Sequence, residues 1–89
     1  MANLKSSIKR IRSSRRKAAY NQIVRSTANT YVKRARRLID AGELEEAQQV
    51  VRQAVSALDR AARKGVIHTN NAARRKSRLM KHLNAARNA

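Results

Sequence analysis

The feature that most constrains this chain is the near absence of residues that break helices. Its 89 residues contain no proline and only two glycines, Gly42 and Gly65. Alanine and arginine, which favour helix, are abundant, so these two glycines are the only strong stops. The sequence therefore predicts an all-α fold of three helices, spanning roughly residues 3–40, 43–64 and 70–88.

The second and third predicted helices each carry an apolar stripe. In the second, apolar residues recur at spacings of three and four: Leu44, Ala47, Val51, Ala54, Leu58 and Ala61. In the third, the matching positions are Ala72, Leu79, Leu83 and Ala86. This spacing is typical of helices that pack one face on a core. We expect Gly65 and Val66 to end the second helix in a left-handed cap, and Thr69 or Asn70 to cap the third at its start.

The first predicted helix carries two apolar stripes on nearly opposite sides. The longer one is Tyr20, Val24, Ala28, Tyr31, Ala35 and Leu38, and the shorter one is Leu4, Ile8 and Ile11. One straight helix cannot present both stripes to the same partner. Its length, about 55 Å, also exceeds the roughly 33 and 28 Å of the other two helices. We expect one domain over residues 1–89, in which a basic arm (residues 1–17) overhangs a three-helix bundle (residues 18–89).

Charge gives the strongest indication of function. The chain has 22 Lys and Arg against five Asp and Glu, a formal net charge of +17. So much like charge opposes a compact state unless a polyanion neutralises it, and nucleic acid is the usual polyanion. All the acidic residues lie between Asp40 and Asp59. The turn at Gly42 is therefore the acidic end of the bundle, and the overhang with the Gly65 hinge is the basic end, where Lys64 should lie opposite roughly residue 19.

The arm is the first candidate RNA-binding group. It reads KSSIKRIRSSRRK from Lys5 to Lys17, and its cations are Lys5, Lys9, Arg10, Arg12, Arg15, Arg16 and Lys17. Lysine and arginine pair with phosphate, and the small serines let a backbone approach and offer hydroxyl donors. A solvated, frayed tail or a localisation signal is the alternative interpretation. Leu4, Ile8 and Ile11 could pack on RNA or on a protein neighbour.

The hinge and the start of the third helix form the second candidate group. A helix N-terminus offers free N–H groups to an anion, and basic residues that follow can track a phosphate backbone. The candidates are Arg63, Lys64, His68, Asn70, Asn71, Arg74, Arg78 and Lys81. Lys76 flanks the apolar stripe and can equally bury its stem there, and a lone histidine such as His68 is more often structural. A third basic group, Lys33, Arg34, Arg36 and Arg37, suits either a solvated helix face or an RNA contact.

Catalysis and metal binding find no support in the sequence. Without cysteine, and with two histidines, the chain offers neither disulfides nor a familiar metal site. The carboxylates cluster near one helix start and no glycine-rich phosphate loop is present. No signal peptide or membrane-spanning stretch is evident. We expect no enzyme activity, no cofactor and no small-molecule substrate.

Two stretches of the sequence resemble a known family. The start, MANLKSSIKR, and the later ALDRAARKGVIHTNNAARRKSRL are similar to the bacterial small-subunit ribosomal protein number twenty family. The resemblance covers essentially the whole chain, with Gly65 to Leu79 the most specific part. The resemblance implies a three-helix bundle with a long first helix, and a cytoplasmic protein of the small ribosomal subunit. Its partners would be small-subunit ribosomal RNA, bound directly and early in assembly, and neighbouring ribosomal components, with no membrane and no homo-oligomer. Family contacts would fall on the Asn3–Lys17 arm and on His68, Asn70, Arg74, Arg75, Lys76 and Arg78.

Two other functions fit the basic composition. A histone-like architectural protein would kink DNA with apolar wedges, and the candidates for these are Leu4, Ile8 and Ile11. A membrane-active amphipathic peptide would need a large apolar face rich in Trp, Phe or Leu, which the arm lacks.

Overall fold

The computed structural model describes residues 2–89, with side chains from Ser6 onward, and contains three helices. These are α1 (Ala2–Asp40), α2 (Leu44–Arg63) and α3 (Thr69–Arg87), with no strand among the described residues. The predicted all-α fold is therefore confirmed, with each predicted helix boundary within about one residue. None of these helices is long and apolar enough to cross a bilayer.

Both glycines end a helix in the same way. Gly42 and Gly65 have φ values of 80° and 75°. Glycine adopts this left-handed conformation without a steric clash because it has no Cβ atom. The Glu43 amide donates to the Leu38 carbonyl at 2.9 Å, and the Gly42 amide to Ile39 at 3.1 Å. The same pair of bonds closes α2, where Val66 donates to Ala61 and Gly65 to Ala62. Each turn is thus a Schellman motif, and the left-handed cap predicted at Gly65 is confirmed.

The core is small and consists mostly of alanine and short aliphatic side chains. Its buried residues are Ala28, Val32, Ala35, Ile39, Ala47, Val50, Val51, Ala54, Leu58, Ala61, Ala72, Leu79 and Leu83. Among the side chains from Ser6 onward, Leu58 and Leu79 are the only large ones that are fully buried. The stripes predicted for α2 and α3 therefore form the core as expected.

On α1 the predicted stripe is partly wrong. Ala28 and Ala35 are buried and Tyr31 and Leu38 pack partly against the core, but Tyr20 is 47% exposed. Val32 and Ile39 are buried instead. The reason is that α1 contacts two helices: Tyr31 faces α2 beside Arg52 and Gln53, whereas the opposite edge of the stripe faces α3. To pack on both α2 and α3, α1 needs a wider apolar face than a single stripe provides.

The first helix overhangs the bundle, as predicted. Every residue from Ser6 to Tyr20 is exposed, and the molecule measures 68 × 21 × 14 Å. At the start of the bundle the Tyr20 hydroxyl accepts a hydrogen bond from the Lys64 ammonium. The Lys64 nitrogen also lies 4.7 Å from the centre of the Tyr20 ring. Lys64 therefore lies where the predicted return of α2 placed it, opposite the start of the bundle.

Candidate nucleic-acid interface

The arm presents its cations around an exposed helix. Lys9, Arg10 and Lys17 line one shallow surface together with the small side chains of Ser6, Ser13 and Ser14. Arg12, Arg15 and Arg16 are exposed on the same helix but do not line this surface. The side chains of Leu4 and Lys5 lie outside the described residues. A polyanion can therefore approach this helix from several directions, with basic groups and small hydroxyl side chains interleaved.

Two aliphatic side chains accompany these cations. Ile8 and Ile11 are 45% and 52% exposed. They lie far from the bundle core, so packing within this chain does not account for them.

The hinge does not gather all of its predicted residues on one side. Lys64 turns toward Tyr20 of the first helix, but Arg63 lies on a different face, beside Arg60 and Met80. Arg63 and Lys64 are consecutive residues at the end of a helix, so their side chains point about 100° apart.

His68 caps the third helix. Its Nδ1 accepts a hydrogen bond from the Asn70 amide at 3.0 Å, and its backbone is extended, with φ −72° and ψ 144°. The expectation that Thr69 or Asn70 would be the N-cap was therefore wrong by one residue. The usual caps are Ser, Thr, Asp and Asn, and here an imidazole nitrogen replaces their oxygen. With Nδ1 accepting, a neutral ring carries its proton on Nε2.

The two asparagines that follow differ in environment. Asn70 is exposed in the first turn of α3, whereas Asn71 is half-buried. The Oδ1 of Asn71 is buried and has no hydrogen-bond partner among the described residues. The side-chain amide of Asn70 is therefore open to solvent, while Asn71 lies between α3 and α1.

The basic residues of α3 point to more than one side of the helix. Arg74 and Arg78 are exposed one turn apart and line a groove between α1 and α3. Lys76 instead forms a salt bridge with Asp59 of α2 at 2.7 Å. Lys81 is exposed on the same side of α3 as Arg74 and Arg78, one turn further along the helix, but does not line the groove. The candidates on α3 thus form no single patch, and Lys76 already has a partner in the fold.

Arg75 is held in the same groove by a contact that the sequence did not predict. Its guanidinium donates to Oδ1 of Asn29 on α1 at 2.6 Å. Burial lowers the pKa of Arg75 below its ordinary value, and the nearby charges of Arg36 and Arg74 lower it further. The guanidinium stays protonated near neutral pH. Its charge is therefore poorly compensated by the protein itself.

The groove also contains two cations of α1 for which the sequence favoured neither a solvated helix face nor an RNA contact. Lys33 and Arg36 of α1 line it opposite Arg74, Arg75 and Arg78 of α3. A helical-wheel comparison with the core stripe could have placed them on this side, had Val32 and Ile39 been included in the stripe. Arg34, by contrast, lies on another face of α1. The third basic group is therefore divided between two surfaces.

His82 makes a contact that sequence analysis did not assign. Its Nε2 lies 3.0 Å from Oδ1 of Asp40 at the end of α1, and both side chains are substantially exposed. The contact ties the middle of α3 to the acidic end of the bundle. In the described part of the chain, no group of three or more His, Asp or Glu could hold a metal ion.

Comparison with known proteins gives a consistent identity over nearly the whole chain. The sequence model of the family described as ribosomal protein S20 matches residues 2–84. Small ribosomal subunit protein bS20 of Thermomicrobium roseum is 55% identical over 85 residues, 96% of this chain and 86% of that protein. The bS20 protein of Coprothermobacter proteolyticus is 52% identical over 84 residues, 94% of this chain and 96% of that protein. That of Bacillus cytotoxicus is 47% identical over 85 residues, 96% of this chain and all of that protein.

These relatives are structural proteins of the ribosome and not enzymes. The resemblance carried by the residues from Gly65 to Leu79 is confirmed by matches that extend far beyond that stretch. This chain belongs to the ribosomal protein S20 family of the small ribosomal subunit.

Proposed function

We propose that this protein binds small-subunit ribosomal RNA directly, early in assembly of the small ribosomal subunit, and remains there as a structural constituent in the cytoplasm. Its further partners would be neighbouring ribosomal components, and it would act as a monomer. Family membership supports the ribosomal setting. The exposed, basic arm supports the direct contact with RNA.

The observation that carries the proposal is the projecting basic helix. From Ser6 to Tyr20 every residue is exposed, and the first 39 residues contain no acid. An isolated helix of this length is only marginally stable in water, and its own cations repel one another. A phosphate backbone would remove that repulsion and release counterions, so both terms favour binding to a polyanion.

The proposed contact residues fall into two groups. The arm, residues 1–17, supplies Lys5, Lys9, Arg10, Arg12, Arg15, Arg16 and Lys17. The bundle, residues 18–89, supplies Arg63, Lys64, His68, Asn70, Asn71, Arg74, Arg75, Lys76, Arg78 and Lys81. Within the second group, His68 and Lys76 already serve the fold, through the helix cap and the Asp59 salt bridge. We expect their substitution to affect RNA binding mainly through stability.

Salt dependence of binding tests the arm. For the full-length chain on a fragment of small-subunit ribosomal RNA, log affinity should fall linearly with log salt, by nearly one unit of slope per phosphate engaged. Replacing Arg12, Arg15 and Arg16 together by glutamine should flatten the slope by about two to three units. Arg52→Gln, near the middle of α2 and away from the arm, is the control and should leave the slope unchanged.

Two results would contradict the proposal. One is a slope that stays the same when the three arm arginines are replaced. The other is an equal affinity for duplex DNA and for the ribosomal RNA fragment at the same salt, because that would favour the architectural DNA-binding alternative, in which Ile8 and Ile11 act as wedges.

A further inference from the structure

The groove between α1 and α3 combines like charges from two helices that pack lightly on each other. The α1–α3 contact is the smallest of the three helix pairs. Lys33 and Arg36 approach from α1, and Arg74, Arg75 and Arg78 approach from α3. Every side chain that lines the groove is basic, amide or apolar. Repulsion across the groove therefore opposes the docking of α3 on α1.

The arrangement is nevertheless held in place. Asn29 accepts the hydrogen bond of Arg75 at 2.6 Å and fixes its planar guanidinium between the two helices. On the far side of α3, the neighbouring Lys76 is tied to Asp59 of α2. These two contacts orient α3 about its own axis, so that Arg74 and Arg78 are directed to the groove. A cluster of positioned arginines suits phosphate, because each planar guanidinium can donate two parallel hydrogen bonds to phosphate oxygens.

We propose that this groove is a phosphate-binding site that fastens α3 to α1, with Arg36 and Arg74 contributing from opposite walls and Asn29 acting as the positioning residue for Arg75. The inference rests on the proposed function in naming the ligand as a backbone phosphate of ribosomal RNA. It goes further by coupling that phosphate to the packing of the bundle. Removing a positive charge from the groove should therefore weaken anion binding and raise the stability of the free protein.

The reason for the opposite signs lies in the uncompensated charge. Without an anion, Arg36 repels Arg75 across the groove, and this repulsion contributes to the lowered pKa of Arg75. Removing the charge of Arg36 relieves the free protein but deprives a bound phosphate of one charge-assisted hydrogen bond. A solvated surface arginine would change neither quantity appreciably.

The test compares Arg36→Gln with Arg34→Gln in the full-length chain. Both changes remove one exposed positive charge from α1, but Arg34 lies on a different face, beside Ile23 and Thr30. Thermal unfolding would be followed at low salt, with and without inorganic tripolyphosphate. Affinity for a small-subunit ribosomal RNA fragment would be measured in parallel.

We expect Arg36→Gln to unfold a few degrees above Arg34→Gln without tripolyphosphate and to gain less from its addition. It should also bind the RNA fragment about tenfold more weakly than Arg34→Gln, the effect of losing one charge-assisted hydrogen bond. If the two variants coincide in unfolding temperature under both conditions and in RNA affinity, the groove is a solvated surface and the inference is overturned, while RNA binding through the arm stands. If the parent chain fails to bind the RNA fragment but the tripolyphosphate difference persists, the anion site is upheld and the proposed function is not.

Discussion

Leu79 provides the sharpest test of how this fold is held together. It is 1% exposed, and with Leu58 it is one of the two large side chains, among those that the structure describes, that the core buries completely. Replacing it by alanine removes three buried carbon atoms and leaves a cavity that the small neighbouring side chains can fill only in part. Such changes cost about 3 kcal/mol, within a range of roughly 2–5 kcal/mol. For 89 residues the whole free energy of unfolding is on the order of 4–13 kcal/mol, and we expect the lower half of that range for a core so rich in alanine.

Met80 is a matched control for this change. It is the next residue on the same helix, has a similar helix propensity and is 44% exposed. Urea or thermal unfolding followed by circular dichroism should place Leu79→Ala at least about 10 °C below the parent, since each kcal/mol shifts the midpoint by about 4–8 °C in a domain of this size. Met80→Ala should stay within about 1 kcal/mol of the parent. Equal destabilisation by both substitutions would refute the idea that two leucines carry the core.

Three further predictions follow from the basic end of the bundle. Replacing Arg74 and Arg78 together by alanine should weaken binding to ribosomal RNA by about two orders of magnitude or more, at roughly 1.5–3 kcal/mol per charge-assisted bond; the variant should unfold at or slightly above the parent's temperature, because repulsion across the groove is relieved, and parent-like binding would make α3 a scaffold only. His68→Ala should lower the free energy of unfolding by about 0.5–2 kcal/mol because the N-cap is lost, whereas His68→Asn should retain most of it; indistinguishable unfolding curves for the two variants would contradict the capping role. In the free protein, amide hydrogens of residues 6–15 should exchange far faster than those of residues 50–58, because the overhang gains no packing from the core; equally slow exchange in both segments would show that the arm is stable without RNA.

Much of the fold could be predicted because the sequence contains few competing signals. With no proline, Gly42 and Gly65 mark the only two places where the chain must turn, and both adopt the left-handed conformation that ends a helix. The overhang could be predicted from length alone, since α2 is too short to cover α1. The polar contacts between helices could not, because each depends on the rotation of a helix about its axis. Asn29 with Arg75 and Asp40 with His82 are pairs separated by more than forty residues, and no local pattern identifies them.

The candidate site was predictable in kind but not in grouping. The net charge and the basic arm indicated a polyanionic partner, and both can be found by counting the charged residues along the sequence. The division of Arg75 and Lys76 between α1 and α2, by contrast, follows from two neighbouring residues pointing about 100° apart around the helix. His68 was missed as a cap because histidine is uncommon at that position, so propensity favoured Thr69 or Asn70.

Nuclease footprinting on small-subunit ribosomal RNA tests the central claim most directly. At moderate salt the full-length chain should protect a discrete set of backbone positions, and replacing the arm arginines Arg12, Arg15 and Arg16 by glutamine should remove part of that set while the bundle stays folded. Replacing Arg74 and Arg78 should remove a different part, because the arm and the groove lie on separate surfaces of the molecule. Uniform weak protection along the whole RNA, unchanged by either set of substitutions, would contradict specific binding and leave only the general attraction of a chain with a net charge of +17.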